Sequence, residues 1–429
     1  MPLHGKHGHL PETRDIALRR MHSLRKKLLK DGNYYKQYSA FMTEMQQKGY
    51  AEQVTTASPG NVWYIPHSGV QHPDKPDKVH VVFDCASKVE GTSLNDLLLQ
   101  GPDMMNSLLG VLVKFRGSLF AYRGDINIIF YQVRVPEQQR DYLRFFWWEN
   151  SLDEEPKEWK MAVHLFGACS SPSIANFMLK QTASDFKNEF SEEARFTVAN
   201  NFNVDDCLRA EDRKDALLVN LLEVKELCKK GRFTLTKFSS PCVEFMSSIP
   251  REWYSRSTSE LIDESESHKT KALGVQWNLA TDELGVRAEL VSVSRTKRDL
   301  LSAIASIYDP LSILAAVLIE GRVIMQDHCR LKIAWDMELD SDTYGPHQGV
   351  SKEAEPDQQD KCAKKPEGYF MGISHSSTVA FVLRCKRHGF RSSGILAGLG
   401  SVGKCILQIH HGKGKGSTTE ACFSAPPRA

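Results

Sequence analysis

Asp205 and Asp206 stand side by side in the run Asn201-Phe202-Asn203-Val204-Asp205-Asp206, and the apolar and turn residues around them predict a strand, a tight turn and a second strand. Two carboxylates at a hairpin tip are oxygen ligands suited to a divalent cation. Two unit charges about 4 Å apart repel by roughly 4 kcal/mol at an effective dielectric near 20, so either something positive compensates them or both face water. Taken alone, the pair reads as a solvated turn, where Asp is favoured for its local hydrogen bonds. Its company alters that balance: Asp125 ends a strand-like run within Ala121 to Phe130, and the aromatic Phe130 follows five residues later.

Those residues need elements to position them. Leu10 to Tyr50 predicts two helices, the first with Ala17, Met21, Leu24 and Leu28 on one stripe and a stop at Asp31-Gly32-Asn33, the second through Phe41 and Met45. Breakers at Pro59-Gly60, Pro66 and His72-Pro73 frame short β runs at Val62 to Ile65 and Val79 to Phe83. Leu94 to Phe115 reads helical, Leu119 to Val135 reads as two strands around Asp125 closed by Pro136, and Tyr142 to Trp148 reads as an aromatic-rich strand. Ser171 before Pro172 predicts a helix start leading into Ala175 to Asp185. Asp212 to Lys230 predicts a helix ended by Gly231, with Lys229 and Lys230 at the negative end of its dipole. Phe233 to Phe238 and Ala272 to Trp277 read as short strands. The order implies an α+β class, an antiparallel sheet with helices on one face. Thr296 to Trp335 reads mostly helical with a break at Asp309-Pro310, and beyond Leu339 the periodicity fades into a poorly ordered tail.

A chain of 429 residues is long enough for two or three domains with their own cores. No apolar run reaches the roughly eighteen residues a membrane span needs, and Met1 to Leu10 has no apolar core of a signal peptide, so the cytoplasm or nucleus is expected and a membrane partner is not. Ten cysteines without a Cys-x-x-Cys spacing argue for reduced thiols rather than a zinc ribbon or a disulfide framework. A net charge of +2 leaves any nucleic-acid contact to local patches. One such patch, Arg19, Arg20, Arg25, Lys26, Lys27 and Lys30, reads by itself as the solvated face of a helix.

A strand-ending Asp followed by an Asp-Asp hairpin resembles the palm of a polymerase, and the surrounding series resembles the reverse transcriptases of BEL/Pao long-terminal-repeat retrotransposons. The resemblance runs in order through residues 81 to 88, Thr92 to Asp96 with Gly101-Pro102-Asp103, the Asp125 strand, Gln132 to Val135, Leu143-Arg144-Phe145, His164 to Asn176, Val204-Asp205-Asp206, Leu273-Gly274-Val275 and Tyr308 to Leu311. It spans residues 10 to 338.

The resemblance implies a right-hand polymerase fold of fingers, palm and thumb, with an antiparallel palm sheet and a helical connection. It implies an RNA-directed DNA polymerase acting on an RNA template, a DNA primer and deoxynucleoside triphosphates through two Mg²⁺ ions, with Mn²⁺ able to substitute. Asp125 and Asp205 would bridge both ions with Asp206 in support, and the Ile126 carbonyl would complete the shell. Phe130 matches an aromatic that excludes a ribose 2′-hydroxyl, beside the plainer reading of a core Phe. Phe166 and Gly167 would begin the floor under the incoming base. Lys237 matches a lysine near the triphosphate that protonates pyrophosphate, and a plain surface lysine is the equal alternative.

Departures from the pattern point elsewhere. Asn203 replaces the aromatic, mostly Tyr, that supports the primer terminus. His80 stands where a triphosphate-gripping Arg is expected, and Lys78 would compensate only in part. Gly398 to Cys405 satisfies a glycine-rich phosphate-loop spacing, but Cys405 replaces the magnesium-binding hydroxyl and no strand-to-helix unit surrounds it. Gly372 to Cys385 resembles the opening of a ribonuclease H domain whose first carboxylate position holds His375, so that activity is not expected. Neither is a peptidase, because no Asp-Thr-Gly or Asp-Ser-Gly occurs. His4, His7 and His9 read as solvated.

The expected organisation is a helical leader at 1–50, fingers and palm at 51–250, a thumb or connection-like region at 251–338 and a tail at 339–429 containing a degraded ribonuclease H start, with other parts of a pol polyprotein as further partners. The competing expectation is a catalytically decayed or co-opted nucleic-acid-binding remnant without turnover.

Overall fold

Ala17, Met21, Leu24 and Leu28 are all buried, so the first helix presents the face its spacing predicts. The structure is a computed structural model that describes residues 10–338 except 57, 59, 73, 74, 257, 260–268, 290–295 and 313, together with the strands 378–383, 405–411 and 419–423. It divides into two units, Met1–Ser259 and Glu260–Ala429.

In the first unit, helices α1 (Arg14–Lys30) and α2 (Gly32–Gln47) meet at Asp31, whose side chain accepts from the Tyr34 amide and caps α2. Strands β1 (Ala51–Gln53), β2 (His67–His72) and β3 (Lys75–Phe83) follow, then α3 (Leu94–Leu97), α4 (Leu108–Phe115) and β4 (Phe120–Ile126). Next come β5 (Arg144–Trp147), β6 (Lys157–Met161), α5 (Ser171–Asp185), α6 (Glu192–Asn200), β7 (Phe202–Asn203), β8 (Asp206–Glu211), α7 (Lys214–Lys230), β9 (Leu235–Ser239) and α8 (Val243–Met246). Three antiparallel sheets result, ordered β1-β6-β5, β2-β3 and β7-β8-β4-β9. The helical pair α1 and α2 packs onto the residues that follow it. Its apolar face shares one core with Trp63, Phe83, Phe145 and Trp147. Within that core the His67 ring joins the Tyr38 hydroxyl at 2.5 Å and the Phe146 carbonyl at 2.8 Å.

The four-stranded sheet carries the acidic residues. Strand period puts Tyr122, Gly124 and Ile126 on one face of β4 and Arg123 and Asp125 on the other. Leu217, Leu221, Val224 and Cys228 of α7 are fully buried, a helical face covering that sheet. The Tyr122 hydroxyl donates to Asn220 at 3.1 Å, and Asn220 donates to Thr197 at 3.1 Å, so one buried polar chain ties β4 to α7 and α6.

Several expected elements differ. The helix over Leu94 to Phe115 is two short helices, because Gly101 (φ +81°) and Pro102 interrupt it. The second strand after Asp125 is a 3₁₀ turn, Ile129–Gln132, entered through Ile128 in the left-handed region (φ +45°). The Ser170 side chain does not cap α5, and the Ser170 and Ser171 hydroxyls are buried with no hydrogen-bond partner among the described residues. Gly231 does not take the left-handed position after α7. Its φ is −80° and Arg232 takes φ +65°, while a Cβ on Gly231 would lie 2.3 Å from Thr182 Oγ1, so close approach to α5 is what demands glycine there.

In the second unit β10 (Lys269–Ala272) and β11 (Val275–Asn278) form a hairpin where one strand was expected, since Leu273 (φ +50°) and Gly274 (φ +82°) make a two-residue turn. β12 (Glu283–Glu289) continues the sheet. Helices Lys297–Ser306 and Ala315–Arg330 flank the expected Asp309-Pro310 break, and the first begins with a capping box of Thr296 and Asp299. The tail, expected without regular structure, contributes β13 (Thr378–Leu383), β14 (Cys405–His411) and β15 (Thr419–Phe423) to the order β10-β11-β12-β13-β14-β15. Each is a run of five to seven residues between Gly-, Lys- and Ser-rich segments whose composition masked it. His4, His7, His9, His375 and Gly398 to Lys404 lie outside the described residues.

Candidate active site

Asp125 lies directly opposite Asp206 in the antiparallel β4–β8 register. Like charges in that relation destabilise a sheet unless compensated. Asp205 occupies the two-residue loop between β7 and β8, and its carbonyl accepts from the Ile126 amide at 2.8 Å, which pins the hairpin tip to the end of β4. Val204, the other loop residue, has φ +56°, an outlier for a β-branched side chain. Strain of this kind persists only where the surroundings over-determine it. The three predicted carboxylates are therefore brought together.

Two cations answer them. Arg123, two residues before Asp125 and on its face of β4, places Nη2 2.5 Å from Asp206 Oδ1 and 3.8 Å from Asp125 Oδ2. All three side chains are about 15% exposed (14%, 15% and 16%), so this is a largely desolvated triad. Arg123 was missed in the sequence, although its spacing of two from Asp125 was the available signal. Lys237 Nζ lies 2.8 Å from Asp125 Oδ1. A β-bulge explains its reach: Arg123 pairs with Ser239 and Asp125 with Thr236, which leaves one extra residue on β9, and Lys237 takes it at φ +54°. Gly124 makes room beneath, since a Cβ there would lie 3.0 Å from Phe238 and 3.2 Å from Leu235.

Burial pushes the Asp206 carboxyl up to about 6, against the pull of Arg123. Asp205 is also raised, by burial and then by the charge of Asp125. Such a set prefers more positive charge than water gives it, and carboxylate oxygens are the donors a hard cation takes. The donor chemistry fits Mg²⁺. Among the described residues, however, no three metal-capable side chains converge on one point, and Asp206 and Asp125 are already paired with Arg123 and Lys237.

The remaining predicted residues divide. Phe130, 7% exposed, packs its ring 4.5 Å from that of Phe166, and Tyr131 also meets Phe166 at 5.7 Å. Phe166 itself is 41% exposed, and Gly167 follows at φ +100°, where a Cβ would lie 2.9 Å from the Phe83 carbonyl. Asn95 clamps this turn, donating to the Gly167 carbonyl and accepting from the Cys169 amide, both at 2.9 Å. Lys78 and His80 instead sit exposed on the β2–β3 ribbon, a different sheet from the carboxylates. Asn203 donates to the Asn106 carbonyl at 2.8 Å, and Asn106 in turn donates to Phe202 at 2.7 Å, so the hairpin is fastened to the loop before α4.

Residues 296–360 match the family model described as the Pao retrotransposon-like RNaseH-like domain. The matched segment covers the two helices at 297–330 and extends past the described residues, and it lies upstream of the ribonuclease H opening expected at Gly372. Comparison with curated proteins gives no match. Among solved structures, the chain is similar to the foamy viral protease-reverse transcriptase dRH in complex with double-stranded DNA, at 12% identity and TM-score 0.48 over 73% of this chain and 46% of that one. It is also similar to the foamy viral protease-reverse transcriptase in complex with an RNA/DNA hybrid, at 12% identity and TM-score 0.40 over 76% of this chain and 35% of that one. The chain thus spans less than half the length of either of these structures. No helix among its described residues is long and apolar enough to cross a membrane.

Proposed function

We propose that the chain is an RNA-directed DNA polymerase, with an RNA template and DNA primer laid across the β7-β8-β4-β9 sheet. The observation that carries this reading is Asp125 facing Asp206 with Asp205 locked beside them by the Ile126 amide. Asp125 and Asp205, with Asp206 in support, would hold Mg²⁺ or Mn²⁺, with the Ile126 carbonyl as a further oxygen. When bound, the metal supplies activation of a primer 3′-hydroxyl and charge neutralisation at the leaving pyrophosphate. Lys237, half-exposed and anchored only to Asp125, can leave that carboxylate and deliver its ammonium proton to pyrophosphate. Phe130 and Phe166 form an aromatic corner for the nucleotide, Gly167 lets the backbone turn beneath it, and Lys78 contributes charge from the β2–β3 ribbon. Right-hand architecture with palm, fingers and thumb belongs to this same proposal.

Primer extension on an RNA template with Mg²⁺ or Mn²⁺ tests it, comparing the wild type with Asp205→Asn. Extension abolished by the substitution supports the polymerase; no extension in the wild type, or extension indifferent to the substitution, rejects it.

A second reading, a nucleic-acid-binding remnant without turnover, is favoured by two observations: Arg123 and Lys237 already pair with Asp206 and Asp125, and Asn203 is tied to Asn106. Template-primer binding that falls steeply with salt, without extension, would identify it.

A further inference from the structure

The sequence Lys225-Glu226-Leu227-Cys228-Lys229-Lys230-Gly231-Arg232-Phe233 closes α7 with an unusual choice of residue. The Arg232 amide donates to the Lys229 carbonyl at 2.9 Å and the Phe233 amide to the Cys228 carbonyl at 2.8 Å, the bond pair of a Schellman helix end. In that motif the left-handed residue is usually glycine. Here it is Arg232 at φ +65°, a strained place for a branched-off side chain that glycine would occupy freely. Glycine is available one residue earlier but is committed to the close approach against Thr182.

The strain places a guanidinium on a cavity of about 290 Å³ lined by Lys225, Lys229, Arg232, Phe233, Thr234 and Leu235. No carboxylate lines it. Lys225 and Lys229 are one helical turn apart, a like-charge spacing that helices disfavour. Lys225 donates to the Leu235 carbonyl at 3.0 Å and lies 4.3 Å from the Trp253 ring centre. Burial holds its ammonium below the usual lysine range, with Lys229 adding to the effect and Glu226 and Glu252 opposing it. Lys229 has only Glu226, at 3.3 Å, on the exposed flank, and the Arg232 guanidinium has no hydrogen-bond or ion-pair partner among the described residues. The helix dipole does not account for the excess, since it offers about half an elementary charge against three cations.

We propose that this pocket is a phosphate-binding site, with Arg232 as its principal ligand, Lys225 and Lys229 as its flanks, and Phe233 as an apolar wall. Its place on the chain is one strand from the carboxylates: the Thr234 carbonyl accepts from the Asn127 amide at 3.0 Å and Leu235 pairs with Ile126. The proposal does not rest on polymerase activity. The phosphate comes from a free nucleotide or from a nucleic-acid backbone, and the chemistry of the pocket is the same for both.

The test titrates the full chain with inorganic pyrophosphate, with thymidine monophosphate and with a single-stranded thymidine oligonucleotide, read by Trp253 fluorescence and by calorimetry. Arg232→Gly is the informative variant, because glycine suits the left-handed position and preserves the helix end. The expected result is an unchanged or higher Tm with pyrophosphate affinity reduced at least about tenfold, and a severalfold loss in Lys229→Gln. The titrations are run without divalent cation, which denies pyrophosphate a metal-dependent site at the carboxylates and separates this pocket from the fate of the polymerase reading. Displacement of pyrophosphate by the oligonucleotide assigns the site to a backbone phosphate; binding of the monophosphate alone assigns it to a free nucleotide. Pyrophosphate affinity unaltered by Arg232→Gly, or no saturable binding of any of the three, overturns the proposal.

Discussion

Arg123 and Asp206 form an ion pair across adjacent strands, at 2.5 Å, on the face of the sheet where two carboxylates stand opposite one another. The guanidinium therefore offsets the repulsion between two carboxylates that the strand register brings face to face. It separates two questions that coincide in most acidic sites: whether the strands can pair at all, and whether the site is charged for chemistry.

Arg123→Gln should destabilise the chain by on the order of 3–5 kcal/mol, the range for removing one partner of a largely buried pair. Most of that should return in the double variant Arg123→Gln with Asp206→Asn, because the orphaned charge is then gone. Urea unfolding of the four proteins in the cycle reads the coupling directly. Mg²⁺ should stabilise Arg123→Gln more than the wild type. Additive single effects would mean that the pair is incidental.

Asp206 and His67 give opposite pH dependences. The Asp206 carboxyl is raised from 3.8 to about 6 by burial, so the unfolded chain ionises it first. Its contribution is complete below about pH 4 and is lost as pH rises through about 6. Asp206→Asn should therefore gain on the wild type over that window by up to roughly 3 kcal/mol. His67 is lowered from 6.5 to about 4 by burial, so its contribution is present above 6.5 and lost as pH falls toward 4. Unfolding free energies measured between pH 4 and 7.5 check both signs, and a flat Asp206→Asn difference would remove the first.

Asn203→Tyr should raise primer extension severalfold if the polymerase reading holds, since an aromatic there can support a primer end. The same change breaks the bond to the Asn106 carbonyl, at about 1 kcal/mol. A gain in extension together with a small loss in Tm is the expected pair of readings. Extension no better than the wild type would place the defect elsewhere.

Lys237→Gly should leave stability unchanged or raise it by up to about 1 kcal/mol, because glycine relieves the φ +54° bulge. Extension should fall at least about tenfold if Lys237 serves as the proton donor. Thermal unfolding and single-nucleotide incorporation are measured side by side. Full activity would return Lys237 to the status of a surface lysine.

The buried stripe of α1, the Asp205-Asp206 hairpin and the helix over 214–230 were legible because each is a local pattern: a period of 3.6, a turn between short apolar runs, a charged helix end. What escaped depends on register between distant segments. Ile126 to Phe130 has the β-branched and aromatic composition of a strand, yet Ile128 turns left-handed and sends Phe130 toward Phe166. The bulge that aims Lys237 exists only relative to β4. Ser170 and Ser171 looked like caps by type, and their hydroxyls are buried instead.

The ion pairs of the sheet are assembled from pieces far apart along the polypeptide: Arg123 and Asp206 are 83 residues apart, and Asp125 and Lys237 are 112 apart. Synthesis from the N-terminus therefore exposes Asp125 and Arg123 long before their partners exist. Helices α1 and α2 can already be packing by then, but closure of the acidic sheet must await emergence of β9. A chain emerged past Asp206 but not yet to Lys237 would hold a hairpin paired to β4 with Asp125 still lacking its lysine partner, and in that interval the nascent chain is open to capture by a chaperone.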